Sequence, residues 1–223
     1  MTGFDPKEFL WEYRASRHKP EYYDSLIALL PRPCVRLLDA GCGAGRLAIR
    51  LADHAQWVTG LDLSENMLAL AQRRYATTDL HNIAWLRGNL HSLPFPSSTF
   101  DCVVSTSVLH LVDMDRALPE LKRVAKPGGK LLLWDWRCPA PVRRITIWPF
   151  RFALGASMKA LATYGLGPAW QVAVREWQGE FSRDRTAQGI QAYARARDAC
   201  SRHLPGWQLA QEQDMLIVWE NPW

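Results

Sequence analysis

The 223-residue chain has no long hydrophobic run, no paired cysteine motif and no repeated or low-complexity tract. Its longest low-charge stretch, Ile145 to Val174, is interrupted by Pro149, Arg151, Lys159 and several glycines. A membrane-spanning helix needs about 20 mainly apolar residues, so no span is expected. The first residues show no positive region followed by an apolar run, so no signal peptide is expected either. Cysteine is sparse: Cys34, Cys42, Cys102, Cys138 and Cys200 are odd in number and far apart. Without a C-x-x-C pair or a Cys/His cluster there is no basis for a zinc site, and no metal is expected. Buried, reduced thiols and a cytoplasmic setting fit this usage better than a disulfide framework. What is abundant is tryptophan, with 11 residues in an otherwise ordinary globular composition.

Charge is unevenly placed. The net charge is +5, yet Arg137 to Arg202 holds eleven Lys and Arg against four acids, which is +7 and leaves −2 for the rest. The basic character thus belongs to one segment. A uniformly basic chain would point to nucleic acid; this distribution makes that partner a poor expectation.

The order of patterns predicts an α/β fold. Residues 5–30 read as two helical pieces broken near His18-Lys19-Pro20, with Pro31 and Pro33 ending the second. Strands are expected at Val35–Leu38, Trp57–Leu61, Ile83–Leu86, Asp101–Ser105 and Lys130–Trp136. Helices are expected at Gly45–Asp53, Ser64–Tyr75 and Leu118–Ala125, with a turn at Pro127-Gly128-Gly129. Alternating strands and helices imply a mostly parallel sheet covered on both faces. Residues from about 142 to 202 read as helical and basic. Trp207–Glu212 and Met215–Glu220 then read as antiparallel strands joined near Gln213-Asp214. The expected organisation is a helical N-terminal cap (1–34), an α/β core (35–138), a helical lid insertion (139–202) and two closing strands (203–223).

The most informative stretch is Val35 to Ile49: an apolar strand ending on Asp39, then Gly41-Cys42-Gly43-Ala44-Gly45, then a helix. This is the layout of a nucleotide-cofactor site, since glycines admit a ligand close to the backbone at a helix start. The spacing is Gly-x-Gly-x-Gly. The dinucleotide fingerprint needs its last glycine where Arg46 stands. A carboxylate directly before the loop is awkward beside a pyrophosphate and welcome beside a cation.

Four segments in order resemble the class I S-adenosylmethionine-dependent methyltransferases, specifically the small-molecule group: Leu38 to Gly45, Val58 to Leu68, Gly88 to Phe95, and Leu121 to Leu131. The resemblance covers residues 35 to 136 well and the last strands loosely. It implies a Rossmann-like, seven-stranded, mostly parallel sheet with a reversed C-terminal strand, N-terminal helices and a helical lid before the last two strands. It also implies S-adenosylmethionine, a cofactor with an ammonium, a sulfonium and no phosphate. Gly41, Cys42, Gly43 and Gly45 would make room for its methionine part, with Asp39 facing the ammonium. Asp62, ending the second strand, would accept the ribose hydroxyls; Leu63 and Met67 would pack on adenine. Asn89 stands where the family more often has aspartate; its side-chain oxygen can still accept from the adenine amino group, and Leu90 N–H could meet a ring nitrogen. Ser105 falls where the family places the methyl group and the substrate. His110, in the loop beyond, is the candidate general base or positioning group.

Two absences bear on the acceptor. After the fourth strand the chain reads Ser105-Thr106-Ser107-Val108, not the Asp/Asn-Pro-Pro-aromatic signature of amino-group methylation, and no Pro-Cys pair stands nearby. Both argue against a nucleic-acid base. Trp148 and Phe152, with Trp11 and Tyr13, are candidate walls of an apolar acceptor pocket. The same apolar residues could instead pack on a sheet edge, or, beside Arg143, Arg144 and Arg151, form a peripheral membrane contact. The expected activity is methyl transfer to a small, hydrophobic acceptor; the alternatives are RNA or protein methylation, or a cofactor-binding partner without catalysis.

Overall fold

A computed structural model describes residues 6, 9–10, 20–108, 111–135, 148–180, 184–211 and 215–222. The described chain forms two compact units: Met1–Lys19 with Cys138–Ile190, and Pro20–Arg137 with Gln191–Trp223.

The larger unit is built on one sheet. Its strands are β1 (Arg36–Ala40), β2 (Trp57–Asp62), β3 (Ile83–Arg87), β4 (Phe100–Thr106), β5 (Ala125–Asp135), β6 (Gln208–Gln211) and β7 (Met215–Glu220), in spatial order β3-β2-β1-β4-β5-β7-β6. The pairs from β3 across to β5 are parallel, and β7 runs antiparallel to both β5 and β6. The order reverses between β2-β1 and β4. In open α/β sheets that switch point is where ligands bind, beyond the carboxyl ends of the strands.

Alternate residues of the central strands feed two cores. Leu38, Ala40, Val103, Leu131, Leu133 and Ile217 pack on one face with Met114, Leu118 and Leu121 of α4 (Met114–Val124). On the other face, Leu37, Cys102, Val104 and Leu132 pack with Leu26 of α1 (Pro20–Ile27) and Leu47 and Leu51 of α2 (Arg46–Leu51). The centre of β4 is buried on both sides, which is why Cys102-Val103-Val104 reads as a continuous apolar run. α3 (Glu65–Tyr75) lies between β2 and β3 in the chain; Ser64 caps it by accepting from Met67 N–H.

Several boundaries differ from expectation for identifiable reasons. β1 runs on to Ala40, because Asp39 and Ala40 keep pairing with Gly60 and Leu61. α2 ends at Leu51 and closes with a 3-10 turn, Ala52–His54. α4 begins four residues before the expected Leu118, capped by Asp113, and Pro119 lies inside it. The expected Pro127-Gly128-Gly129 turn is a bulge inside β5: Ala125 pairs with Phe100 and Lys130 with Cys102, and the residues between loop out with Gly128 at φ 71°.

At the opposite end from the strand carboxyl ends, Asp101 of β4 ties the start of β1 to the start of β5. Its carboxylate accepts from Val35 N–H (3.1 Å), Arg36 N–H (2.7 Å) and Lys126 Nζ (2.7 Å). Partial burial pushes this carboxyl up, but the Lys126 bond and the two amide bonds outweigh it and hold it below the usual carboxylate range.

The smaller unit contains α5 (Trp148–Tyr164), α6 (Leu166–Glu180) and the start of α7 (Asp184–His203). The division falls after Ile190, inside α7, rather than at the expected 202. Ala196, Ala199 and Cys200 are buried in the sheet core with Leu204, so this end of α7 belongs to the sheet. Among the described residues no helix is long and apolar enough to cross a membrane.

Candidate functional site

β1 leaves the sheet at Ala40 and turns through Gly41, Gly43 and Gly45, at φ 81°, 51° and 74°. Two of these glycines do different work. A Cβ on Gly45 would meet the Trp85 ring at 2.5 Å and the Ala71 Cβ at 2.8 Å, so Gly45 lets β3 and α3 close against the loop. A Cβ on Gly43 would meet nothing within 4 Å. Gly43 therefore borders open space, the kind of gap a ligand fills.

Four of the loop amides are already bonded within the protein. Gly41 N–H and Cys42 N–H both donate to Leu61 O, at 2.7 and 3.0 Å. Gly43 N–H donates to Asp62 Oδ2 at 2.8 Å, and Gly45 N–H to Cys42 O at 3.0 Å. A phosphate cradle needs such groups aimed at the ligand. Here they are spent on holding the loop to the end of β2, and Arg74 of α3 pins it further by donating to Ala44 O.

Asp39 is 1% exposed, and neither carboxylate oxygen has a hydrogen-bond partner. Burial, and then the charge of nearby Asp62, push its carboxyl up to about 7. The backbone N–H of Ala48 pulls the other way without reaching hydrogen-bond geometry. Buried polar groups are almost always paired, so this residue calls for an explanation. A cation beside it would supply the missing partner.

Asp62 ends β2 as expected. Its carboxylate is fixed by Gly43 N–H and by Ser64 N–H, both at 2.8 Å, which orients it toward the loop. Leu63 follows it with an exposed side chain, whereas Met67 is buried in the α3 face, so only Leu63 presents an apolar surface. Cys42 is buried, and burial with the charges of Asp39 and Asp62 pushes its thiol far up, so it is inert filling. Asn89 forms a tight turn in which its Oδ1 accepts from His91 N–H at 2.9 Å, and Leu90 is buried beside it.

Ser105 is placed differently from its expected role. It is fully buried, and its hydroxyl donates to Ala40 O at 2.8 Å, tying the ends of β1 and β4 together. The group of interest is two residues on. Ser107 has φ 57°, rare for a residue with a Cβ, and its hydroxyl is buried without a hydrogen-bond partner. Sequence gives no sign of such strain. Trp85 and Arg74, which shape the loop from outside, were also missed; the only hint of Trp85 is that two glycines, Gly45 and Gly60, stand where its ring needs room. His91 accepts from Asp113 N–H and so steadies the start of α4.

His110, Trp11 and Tyr13 lie outside the described residues. Trp148 and Phe152 lie in the first turns of α5. Among the described residues no cluster of His, Cys, Asp and Glu could hold a metal ion.

Comparison with known proteins agrees with this geometry. Residues 38–133 match the model of a methyltransferase domain. Over 107 residues the chain is 38% identical to a demethylmenaquinone methyltransferase of Listeria monocytogenes, covering 46% of this chain and 45% of that protein. The chain thus spans about half the length of the curated relatives it matches. Among solved structures, one from Methanococcus maripaludis covers 98% of this chain and 94% of its own, with TM-score 0.63 at 18% identity, a likeness of fold. A SAM-dependent methyltransferase from Aquifex aeolicus is 26% identical with TM-score 0.51, covering 69% of this chain and 88% of its own. Residues 38–133 thus resemble a methyltransferase domain, and the sheet that carries them has the fold of solved S-adenosylmethionine-dependent methyltransferases.

Proposed function

We propose that the protein transfers a methyl group from S-adenosylmethionine to a small, hydrophobic acceptor. The observation that carries the cofactor is the buried, partnerless carboxylate of Asp39, four residues before a Gly43 that borders open space, with the N–H groups of Gly41, Cys42, Gly43 and Gly45 already bonded within the protein. That set rejects a phosphate and suits a ligand with an ammonium group. S-adenosylmethionine supplies a methyl group on a sulfonium, with its leaving group built in.

The residues of the chain then have definite tasks. Asp39 gives up its proton and pairs with the ammonium, which removes the cost of a buried, unpaired carboxylate. Asp62, held in orientation by two backbone N–H groups, accepts from the ribose hydroxyls. Leu63 offers an apolar face to the adenine, and the Asn89-Leu90 turn borders its edge. Ser105 keeps β1 and β4 in register, while Ser107 holds its hydroxyl in the loop that follows. His110 takes the acceptor's proton or positions the acceptor. In-line transfer asks the protein mainly for alignment and exclusion of water.

The acceptor is read from two sources. The Listeria relative is named for methylating a quinone. The segment outside the matched domain is rich in large apolar residues, and we assign Trp148, Phe152, Trp11 and Tyr13 to the acceptor pocket. Trp148→Ala should raise the acceptor KM and leave cofactor affinity unchanged.

S-adenosylhomocysteine tests the cofactor reading directly. At a concentration of 100 Kd it should stabilise the fold by about 2.7 kcal/mol, visible as a higher Tm. Asp62→Ala should abolish the shift. A folded wild-type protein showing no shift at millimolar ligand would overturn the reading.

A further inference from the structure

Among the described side chains, the α5–α6 pair, joined through Gly165, buries small ones and displays large ones. Ala156, Ala160 and Val172 are buried together with Leu10. Leu154, Met158 and Leu161 recur at i, i+4 and i+7, so they share one face of α5, and all three are exposed. At about 100° per residue, Ala156 and Ala160 lie on the opposite side. α6 repeats the arrangement: Leu166 and Trp170, one turn apart, are 79% and 72% exposed, while Val172 faces inward. A helix in water does the reverse, burying its large apolar residues and showing small and polar ones. The inversion marks a face that meets something apolar.

Charge identifies what that is. From Trp136 to Arg175 the chain has no Asp or Glu, while it has Arg137, Arg143, Arg144, Arg151, Lys159 and Arg175. The acids of α6, Glu176 and Glu180, come after the exposed stripe; from Leu154 to Trp170 the chain carries Lys159 and no acid, so a second copy of that stripe would oppose ammonium to ammonium. An anionic lipid surface matches both the apolar stripe and the cations. Trp170 has the amphipathic ring suited to the headgroup level, and Lys159, one residue from Met158, can lay its stem along apolar surface while its ammonium stays in water. With 17 and 15 residues, α5 and α6 are shorter than a span requires, so they would lie in the interface rather than cross it.

We propose that the α5–α6 pair is an interfacial anchor that seats its Leu154–Met158–Leu161 and Leu166–Trp170 face in the surface of an anionic bilayer. The proposal is independent of which acceptor is methylated, and its readout is partition, not methyl transfer.

The test is co-sedimentation of the full chain with vesicles of phosphatidylcholine, alone or with phosphatidylglycerol at three parts in ten. Wild type is expected to partition roughly tenfold or more in favour of the anionic vesicles. The triple variant Leu154→Gln, Met158→Gln, Leu161→Gln should lose about tenfold in that partition while keeping its thermal shift with S-adenosylhomocysteine, which shows that the fold is intact. The proposal is overturned if wild type stays in the supernatant with both vesicle types. It is equally overturned if the triple variant binds anionic vesicles as wild type does, since the attraction would then be charge alone. A concentration-dependent dimer in gel filtration that the triple variant abolishes, without vesicle binding, would assign the face to a second copy instead.

Discussion

With its carboxyl at about 7, Asp39 keeps a proton in the ligand-free fold that it would release on unfolding at neutral pH. Its unfolded value is 3.8, so this group favours the folded state most below about 4, and its contribution falls as pH rises to 7. Three units correspond to about 4 kcal/mol at most. Asp39→Asn should therefore raise Tm at pH 8 relative to wild type, remove this pH dependence, and still lose the S-adenosylhomocysteine shift. A wild-type minus variant Tm difference that stays flat from pH 4 to 8 would refute the assignment. In wild type, cofactor affinity should climb over the same interval, because the ammonium needs the ionised form. Ser107 offers a second residue-level test. Relieving its left-handed backbone with Ser107→Gly should stabilise the fold by about 1 kcal/mol and, if the hydroxyl serves the reaction, lower kcat. The two glycines separate fit from folding. Gly45→Ala drives a Cβ into Trp85 and should leave little folded protein. Gly43→Ala should fold, with about 1 kcal/mol of backbone strain, and bind S-adenosylhomocysteine weakly.

Among the elements, the foot of β4 is where a small change should travel furthest. Asp101→Ala would leave Val35 N–H, Arg36 N–H and Lys126 without their acceptor, at a cost of about 1–3 kcal/mol in urea unfolding. Asp101→Asn should cost less, since its amide oxygen still accepts. The order of strands and helices from β1 to β5 was legible because apolar runs and loop residues alternate with few ambiguities. The ends of elements were less so. α4 holds Pro119 one and a half turns in, where its start was expected at Leu118, since Asp113 has already capped the helix and its apolar face is buried. In the site, Asp39, Asp62 and the glycines were legible from their position after a strand. The true place of Ser105 was not. Which of two serines ties strands and which carries strain depends on the pairing of β4 with β1 and β5, and neighbouring strands leave no trace in local sequence.

For the molecule as a whole, the sheet unit should report its unfolding through its cysteines. Cys34, Cys42, Cys102 and Cys200 are all buried, from β1 to the end of α7. Burial raises each thiol, Cys34 to about 11 and Cys200 to about 12, with Cys42 and Cys102 pushed well above the usual thiol range. A thiol reagent at pH 8 should label none of the four in the native state and all four with one shared denaturant midpoint, if the unit unfolds cooperatively. Separate midpoints would show that the end of α7 opens on its own. The commitment of the loop amides to Leu61, Asp62 and Cys42 has a further consequence for competition between ligands. ATP carries the same adenosine as the cofactor and could satisfy Asp62 and Leu63 equally well. Its phosphates would then meet the Asp39 carboxylate, while the N–H groups of Gly41, Cys42, Gly43 and Gly45 are already bonded within the protein. Such a site turns nucleotides away by repulsion rather than by a poorer fit, so even a large excess of ATP should leave cofactor binding unchanged.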